Sequence, residues 1–139
     1  FDGLAIKYPA ELNNWIDTNN IVFLYGQMEN FSDENKDNKR VVFIVEIKDS
    51  ARVTGIMKNW ETTMADDLKN FFNIDPSLGA STPFLDNEYR NVKIRYKNFP
   101  LPDRTIDYAI VSSLTGRYYL ILTNSRESIY SPIDKIQEI

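Results

Sequence analysis

At residues 40–48 the chain carries an unbroken run of strand formers that is apolar on both sides. Val41, Phe43, Val45 and Ile47 point one way, while Val42 and Ile44 point the other. Side chains alternate across a strand, so a half-solvated strand shows polar residues at every second position. A strand that is apolar on both faces belongs in the middle of a sheet. Directly after it, Asp49-Ser50 supplies a helix cap. From there to residue 72, Val53, Ile56, Met57, Trp60, Met64, Leu68 and Phe71 recur at intervals of three and four. This spacing predicts one long helix, over 53–72, that organises the core.

The other elements follow by the same reading. Residues 9–18 predict a short helix, with Pro9 in its first turn and Leu12, Trp15 and Ile16 on one face. Residues 21–28 predict a strand and 30–39 a polar turn, and 73–83 form a long loop. Residues 91–97 alternate, with Val92, Ile94 and Tyr96 against Lys93, Arg95 and Lys97, and two further strands are expected at 105–112 and 117–123. Asn124-Ser125 resembles a helix cap, but Pro132 would break a helix running through it, so Ser131-Pro132 with Asp134 marks a restart. Two strands, a polar cap and a helix thus occur twice, a weak repeat that any hairpin feeding a helix would produce. The expected fold class is α+β: a mostly antiparallel sheet of about five strands with helices packed on it, in the order α-β-β-α-β-β-β-α.

The 139 residues are the size of one domain, and with 42% hydrophobic residues the composition is that of a folded protein. The chain begins at Phe1 and not at Met, so residues 1–139 read as a single domain cut from a longer protein. A net charge of −4 argues against nucleic acid as the main partner. Cysteine and histidine are both absent, which removes thiolate chemistry, the serine-triad base and the usual zinc ligands. The five glycines are isolated, so there is no phosphate-cradling loop.

Residues 42–48 (V-F-I-V-E-I-K) followed by Trp60, Glu61, Thr63, Met64, Asp67 and Leu68 form a pattern W-E-x-T-M-x-x-D-L after a strand. This pattern resembles an uncharacterised domain of membrane-anchored proteins from candidate-phylum bacteria. The similarity extends to Phe23-Leu24-Tyr25-Gly26, Phe84-Leu85-Asp86, Asn91, Arg95 and the segment 120–125, and so covers most of the chain. The resemblance implies an extracytoplasmic location, with a transmembrane tether outside these residues. It implies no established activity.

Two carboxylates stand out. On a single helix over 53–72, Asp67 falls inside the apolar arc between Ile56 and Trp60, and Glu61 lies at its edge beside Leu68. An ionised group on a buried face must be paired or hydrogen-bonded, and a dipole end near Asp67 would oppose its charge. One reading makes Asp67 a perturbed acid. The preferred one is structural, with an Arg or amides of the 73–83 loop as donors. Lys93, Arg95 and Lys97, with Arg90 close by, form a basic stripe that suits an acidic partner, a phosphate or an anionic envelope polymer. The preferred reading is a solvated sheet face, or cross-strand pairing with residues such as Asp107, since single-sign rows on exposed strands are common. Residues 33–38 resemble the opening of a calcium loop, but Asn38 replaces its glycine and Ile44 its closing glutamate. Asn30-Phe31-Ser32 matches a glycosylation acceptor by chance. No metal and no cofactor are expected.

The expected function is a non-enzymatic extracytoplasmic interaction module for a protein or envelope component, reaching the membrane only through its anchor, with Arg90, Lys93, Arg95 and Lys97 as the binding candidates. Alternatives are a carboxylate-based hydrolase or transferase using Glu61 and Asp67, or a cytoplasmic domain with a regulatory partner. A hydrophobic segment of about 20 residues upstream would separate the first from the last.

Overall fold

The computed structural model describes residues 7–27, 39–79, 82–100 and 104–139. The calcium-like string and the glycosylation match lie outside them. Six strands form one antiparallel sheet: β1 (Ile16–Gln27), β2 (Lys39–Ile47), β3 (Leu85–Tyr89), β4 (Val92–Asn98), β5 (Thr105–Ser112) and β6 (Tyr118–Thr123). Their spatial order is β1-β2-β6-β5-β4-β3. Helices α1 (Ser50–Trp60) and α2 (Met64–Phe72) connect the β1–β2 hairpin to the β3–β6 meander, and α3 (Tyr130–Gln137) closes the described chain. The protein is therefore α+β, with six strands where about five were expected.

β2 sits between β1 and β6, as its two-sided apolar pattern requires. Val41, Phe43, Val45 and Ile47 pack with α1 and α2 in one core. Val42 faces the other core, made with Val92, Ile94, Ala109, Val111 and Ile121 against Ile129, Ile133 and Ile136 around α3. Both faces of the sheet are thus covered by helices.

Four local expectations change. The long helix is broken at residues 61–63. Thr63 adopts φ −120° and ψ −2°, outside helical geometry, and the Thr62 hydroxyl donates back to the Asn59 carbonyl at 3.2 Å. Two adjacent β-branched residues whose hydroxyls seek local acceptors favour such an interruption. The Asp67 amide then bonds the Thr63 carbonyl at 3.0 Å and the helix restarts. Its buried row is Met64, Leu68 and Phe72, all 0% exposed, so Phe72 takes the core place expected of Phe71.

The helix expected at 9–18 is a 3-10 turn (Ala10–Asn14), because Ile16 already pairs with Ile47 as the first residue of β1. β3 was not anticipated, since Leu-Asp-Asn-Glu-Tyr has little strand propensity. It forms as the partner of β4 through a two-residue turn, with Arg90 and Asn91 at φ 50° and 64°. Asn124-Ser125 does not cap a helix. The Asn124 side chain instead accepts from the Val41 amide at 2.9 Å and donates to the Phe72 carbonyl at 3.4 Å, tying β6 to β2 and α2. A 3-10 turn (Glu127–Ile129) runs on into α3, and Pro132 is accommodated in its first turn, where amides have no helical acceptor. Gly79 is required by proximity: a Cβ there would lie 2.7 Å from the Phe99 ring.

Candidate functional site

The helix break brings Glu61 over the sheet. Arg95 on β4 grips it in two places, Nε donating to Oε2 at 2.8 Å and Nη2 to Oε1 at 2.7 Å. The Tyr108 hydroxyl on β5 also donates to Oε2. Glu61 is 10% exposed and Arg95 21%. The third nitrogen of the guanidinium, Nη1, bonds Asp86 on β3 at 2.9 Å, and Asp86 is 78% exposed. The hydrogen bonds to Glu61 hold the Arg95 proton more tightly than usual, against the opposing effect of burial. Burial, and then the bond to Glu61, pushes the Tyr108 hydroxyl well above the ordinary phenol range. Arg95 holds the Asp86 carboxyl below its usual range, with Lys58 and Lys93 adding to the effect.

Asp67 has a separate set of partners, and its hydrogen bonds are local. The Trp60 indole donates to Oδ2 at 2.8 Å and the Thr63 hydroxyl to the same oxygen at 3.1 Å, and Lys7 Nζ stands 3.8 Å from Oδ1. These are not the Arg or the 73–83 amides expected of it. The dipole expectation also reverses. Asp67 lies in the first turn of α2, at the positive end, where a carboxylate is favoured. The side chain is 14% exposed, at the margin of the core and not within it. Trp60 itself is 5% exposed and packs in the core with Val53 and Met64.

The stripe Lys93, Arg95 and Lys97 shares the face of the sheet that α1 and α2 cover further along. Its members are held differently. Arg95 is committed as described. Lys97 donates to the Thr82 carbonyl at 2.8 Å. The Lys93 side chain makes no hydrogen bond or ion pair among the described residues, and stands opposite Glu88 in the strand register. Arg90 lies in the β3–β4 turn, where its Nε is 3.1 Å from Asp134 of α3 and its carbonyl accepts from Gln137 at 3.0 Å. Tyr89 beside it also donates to Asp134, at 2.9 Å. These contacts fasten the turn to α3. Asp107 does not pair with the stripe: it is fully buried on the other face and accepts from the Thr105 hydroxyl.

An open groove of about 1160 Å³ runs from the polar side of α1 across β5 and β4 to the β3–β4 turn. Ser50, Thr54 and Lys58, four residues apart on α1, form one wall. Lys93, Arg95, Asp86 and Tyr108 contribute to the rest. The sequence reading singled out Arg90, Lys93 and Arg95 here but missed Lys58, Asp86 and Tyr108 as members of one surface. The four-residue spacing of Ser50, Thr54 and Lys58 was a visible signal, but it looks like any solvated helix face. A second cavity, of about 20 Å³, lies within the core under Tyr8 with apolar side chains around it, room for about one water and without polar groups to hold it. Among the described residues no cluster of three or more acidic groups is placed to hold a metal, and no helix is long and apolar enough to cross a membrane.

A scan against protein-family models finds no matching family, and searches of curated proteins and of solved structures find no match.

Proposed function

We propose that this chain is a non-enzymatic interaction module that docks a protein or envelope component in the groove beside α1, outside the cytoplasm on a membrane-anchored protein. The observation that carries the reading is the open groove itself, on a sheet face that α1 and α2 otherwise seal. Its wall of Ser50, Thr54 and Lys58 carries no apolar side chain that a neighbouring element of the chain would need to cover. The state of the two carboxylates supports a module over a hydrolase. Glu61 receives three hydrogen bonds and Asp67 two, from separate partners. A general acid or base needs an oxygen within reach of substrate, and here both oxygens of Glu61 and Oδ2 of Asp67 are engaged by side chains of the fold. The extracytoplasmic placement rests on the family resemblance.

The test uses the full-length protein in its native cells. A photo-crosslinking residue at Thr54 is expected to give a discrete adduct that the same residue at Lys135, on the exposed side of α3, does not. Equal capture at both positions, or none at Thr54, rejects the groove. Protease digestion of intact cells reports the location, and protection of the domain would reject an extracytoplasmic one.

A further inference from the structure

We infer that the groove takes an extended acidic peptide, one of whose carboxylates replaces Asp86 at Nη1 of Arg95. This rests on the interaction-module reading and names the chemistry of the partner. Arg95 has two unequal sides. Nε and Nη2 are committed to Glu61, which is nearly buried, whereas Nη1 is held by a carboxylate that stands 78% exposed. A guanidinium keeps its charge at any physiological pH and matches a carboxylate geometrically, so a ligand carboxylate at Nη1 would make the bond that Asp86 makes now.

Lys58 and Lys93 strengthen the case. Both line the groove, and the side chain of neither makes a hydrogen bond or ion pair among the described residues. Both act on Asp86, where with Arg95 they hold its carboxyl below the usual range. Three cations therefore converge on one loosely held anion, in a chain whose overall charge is −4. The groove is locally attractive to anions although the protein as a whole is not, which selects a partner with carboxylates at particular positions over a diffuse polyanion.

β3 shows what such a partner looks like. Asp86 and Glu88, two residues apart on an extended strand, stand opposite Arg95 and Lys93 in the β3–β4 register. Alternate residues of an extended chain are separated by about 7 Å, and β4 spaces its cations by the same interval. Carboxylates at every second position of an extended peptide are complementary to that row, which favours a peptide over a phosphate polymer.

The experiment is calorimetric titration of the 139-residue chain with an alternating Glu–Ser octapeptide, its Gln–Ser counterpart and linear polyphosphate. The Glu–Ser peptide is expected to bind with an affinity that falls as salt rises, and the Gln–Ser peptide is not. Asp86→Asn removes the internal competitor and is expected to tighten binding about two- to fivefold, the range for one exposed ion pair. Lys58→Gln and Lys93→Gln, both at solvated positions, are expected to weaken it. Unchanged or weaker binding by Asp86→Asn overturns the inference, as does indifference to the two lysine substitutions. Tighter binding of polyphosphate with the same mutational pattern overturns the peptide assignment. Failure here with a specific Thr54 adduct in cells leaves the module reading standing, whereas loss of both results removes it.

Discussion

The two carboxylates at the helix break have opposite kinds of partners. Glu61 is held by Arg95 and Tyr108, 34 and 47 residues away on β4 and β5. Asp67 is held by Thr63 and Trp60, four and seven residues away. The first joins the helical layer to the sheet, and its strength depends on the whole fold being in place. The second stabilises the restart of a helix, and its hydrogen bonds require only the local chain, with the exposed Lys7 ammonium 3.8 Å away as a distant partner. A long-range charged pair in a poorly solvated place makes each partner dependent on the other, because either charge alone is costly there. A local pair of neutral donors on a carboxylate at a helix start carries no such penalty, since water and the helix dipole remain as substitutes.

The largest effect expected from this contrast is at Arg95. Arg95→Met leaves Glu61 without its counter-charge and is expected to lower stability by about 3–5 kcal/mol in urea unfolding. Adding Glu61→Gln to the same chain should recover much of that loss. If the double variant is as unstable as the single one, the damage comes from packing and not from the unpaired charge. At the other carboxylate, Asp67→Ala is expected to cost about 1–3 kcal/mol by stranding the Trp60 indole and the Thr63 hydroxyl. A loss as large as that of Arg95→Met would erase the distinction between the two sites.

The contrast is sharpened at alkaline pH. The Tyr108 hydroxyl keeps its proton in the folded state to well above the ordinary 10.0, whereas the unfolded chain releases it near that value. Above pH 10 the unfolded state therefore binds fewer protons, and stability falls as pH rises. The stability conferred by this group is fully present below about pH 10. Tyr108→Phe is expected to flatten the alkaline limb relative to the parent chain, measured as the thermal midpoint between pH 9 and 11, whereas Asp67→Ala leaves its slope unchanged. Parallel alkaline limbs for Tyr108→Phe and the parent would exclude a Tyr108 hydroxyl held protonated by burial and by its bond to Glu61. The smallest effect is expected at Asp86. Being mostly exposed, its pair with Arg95 contributes little to stability, so Asp86→Asn should lower the urea midpoint at pH 7 only slightly. A clear drop would mean that Asp86 is part of the Glu61 network and not a replaceable occupant of Arg95.

What the sequence determined by itself is the part of the structure governed by near neighbours and by alternation. The two-sided apolar run of β2 demands a central place, the alternation of β4 assigns its faces, and the spacing of Val53, Ile56, Met57 and Trp60 defines the buried side of α1. Pro132 could be read as lying near a helix start because its chemistry permits little else. The tertiary structure alone decided the rest. β3 exists because β4 offers it a ladder of backbone hydrogen bonds, which outweighs the poor strand propensity of Asp86, Asn87 and Glu88. The break at residues 61–63 moved Asp67 from an apparent helix interior to a helix start, and so reversed the sign of its interaction with the dipole. Glu61 was visible as an oddly placed acid, but its partner Arg95 looked like one of three equivalent cations on a strand. Only the packing of α1 across β4 and β5 distinguishes them, because ion pairing depends on distance in space and the sequence records distance along the chain.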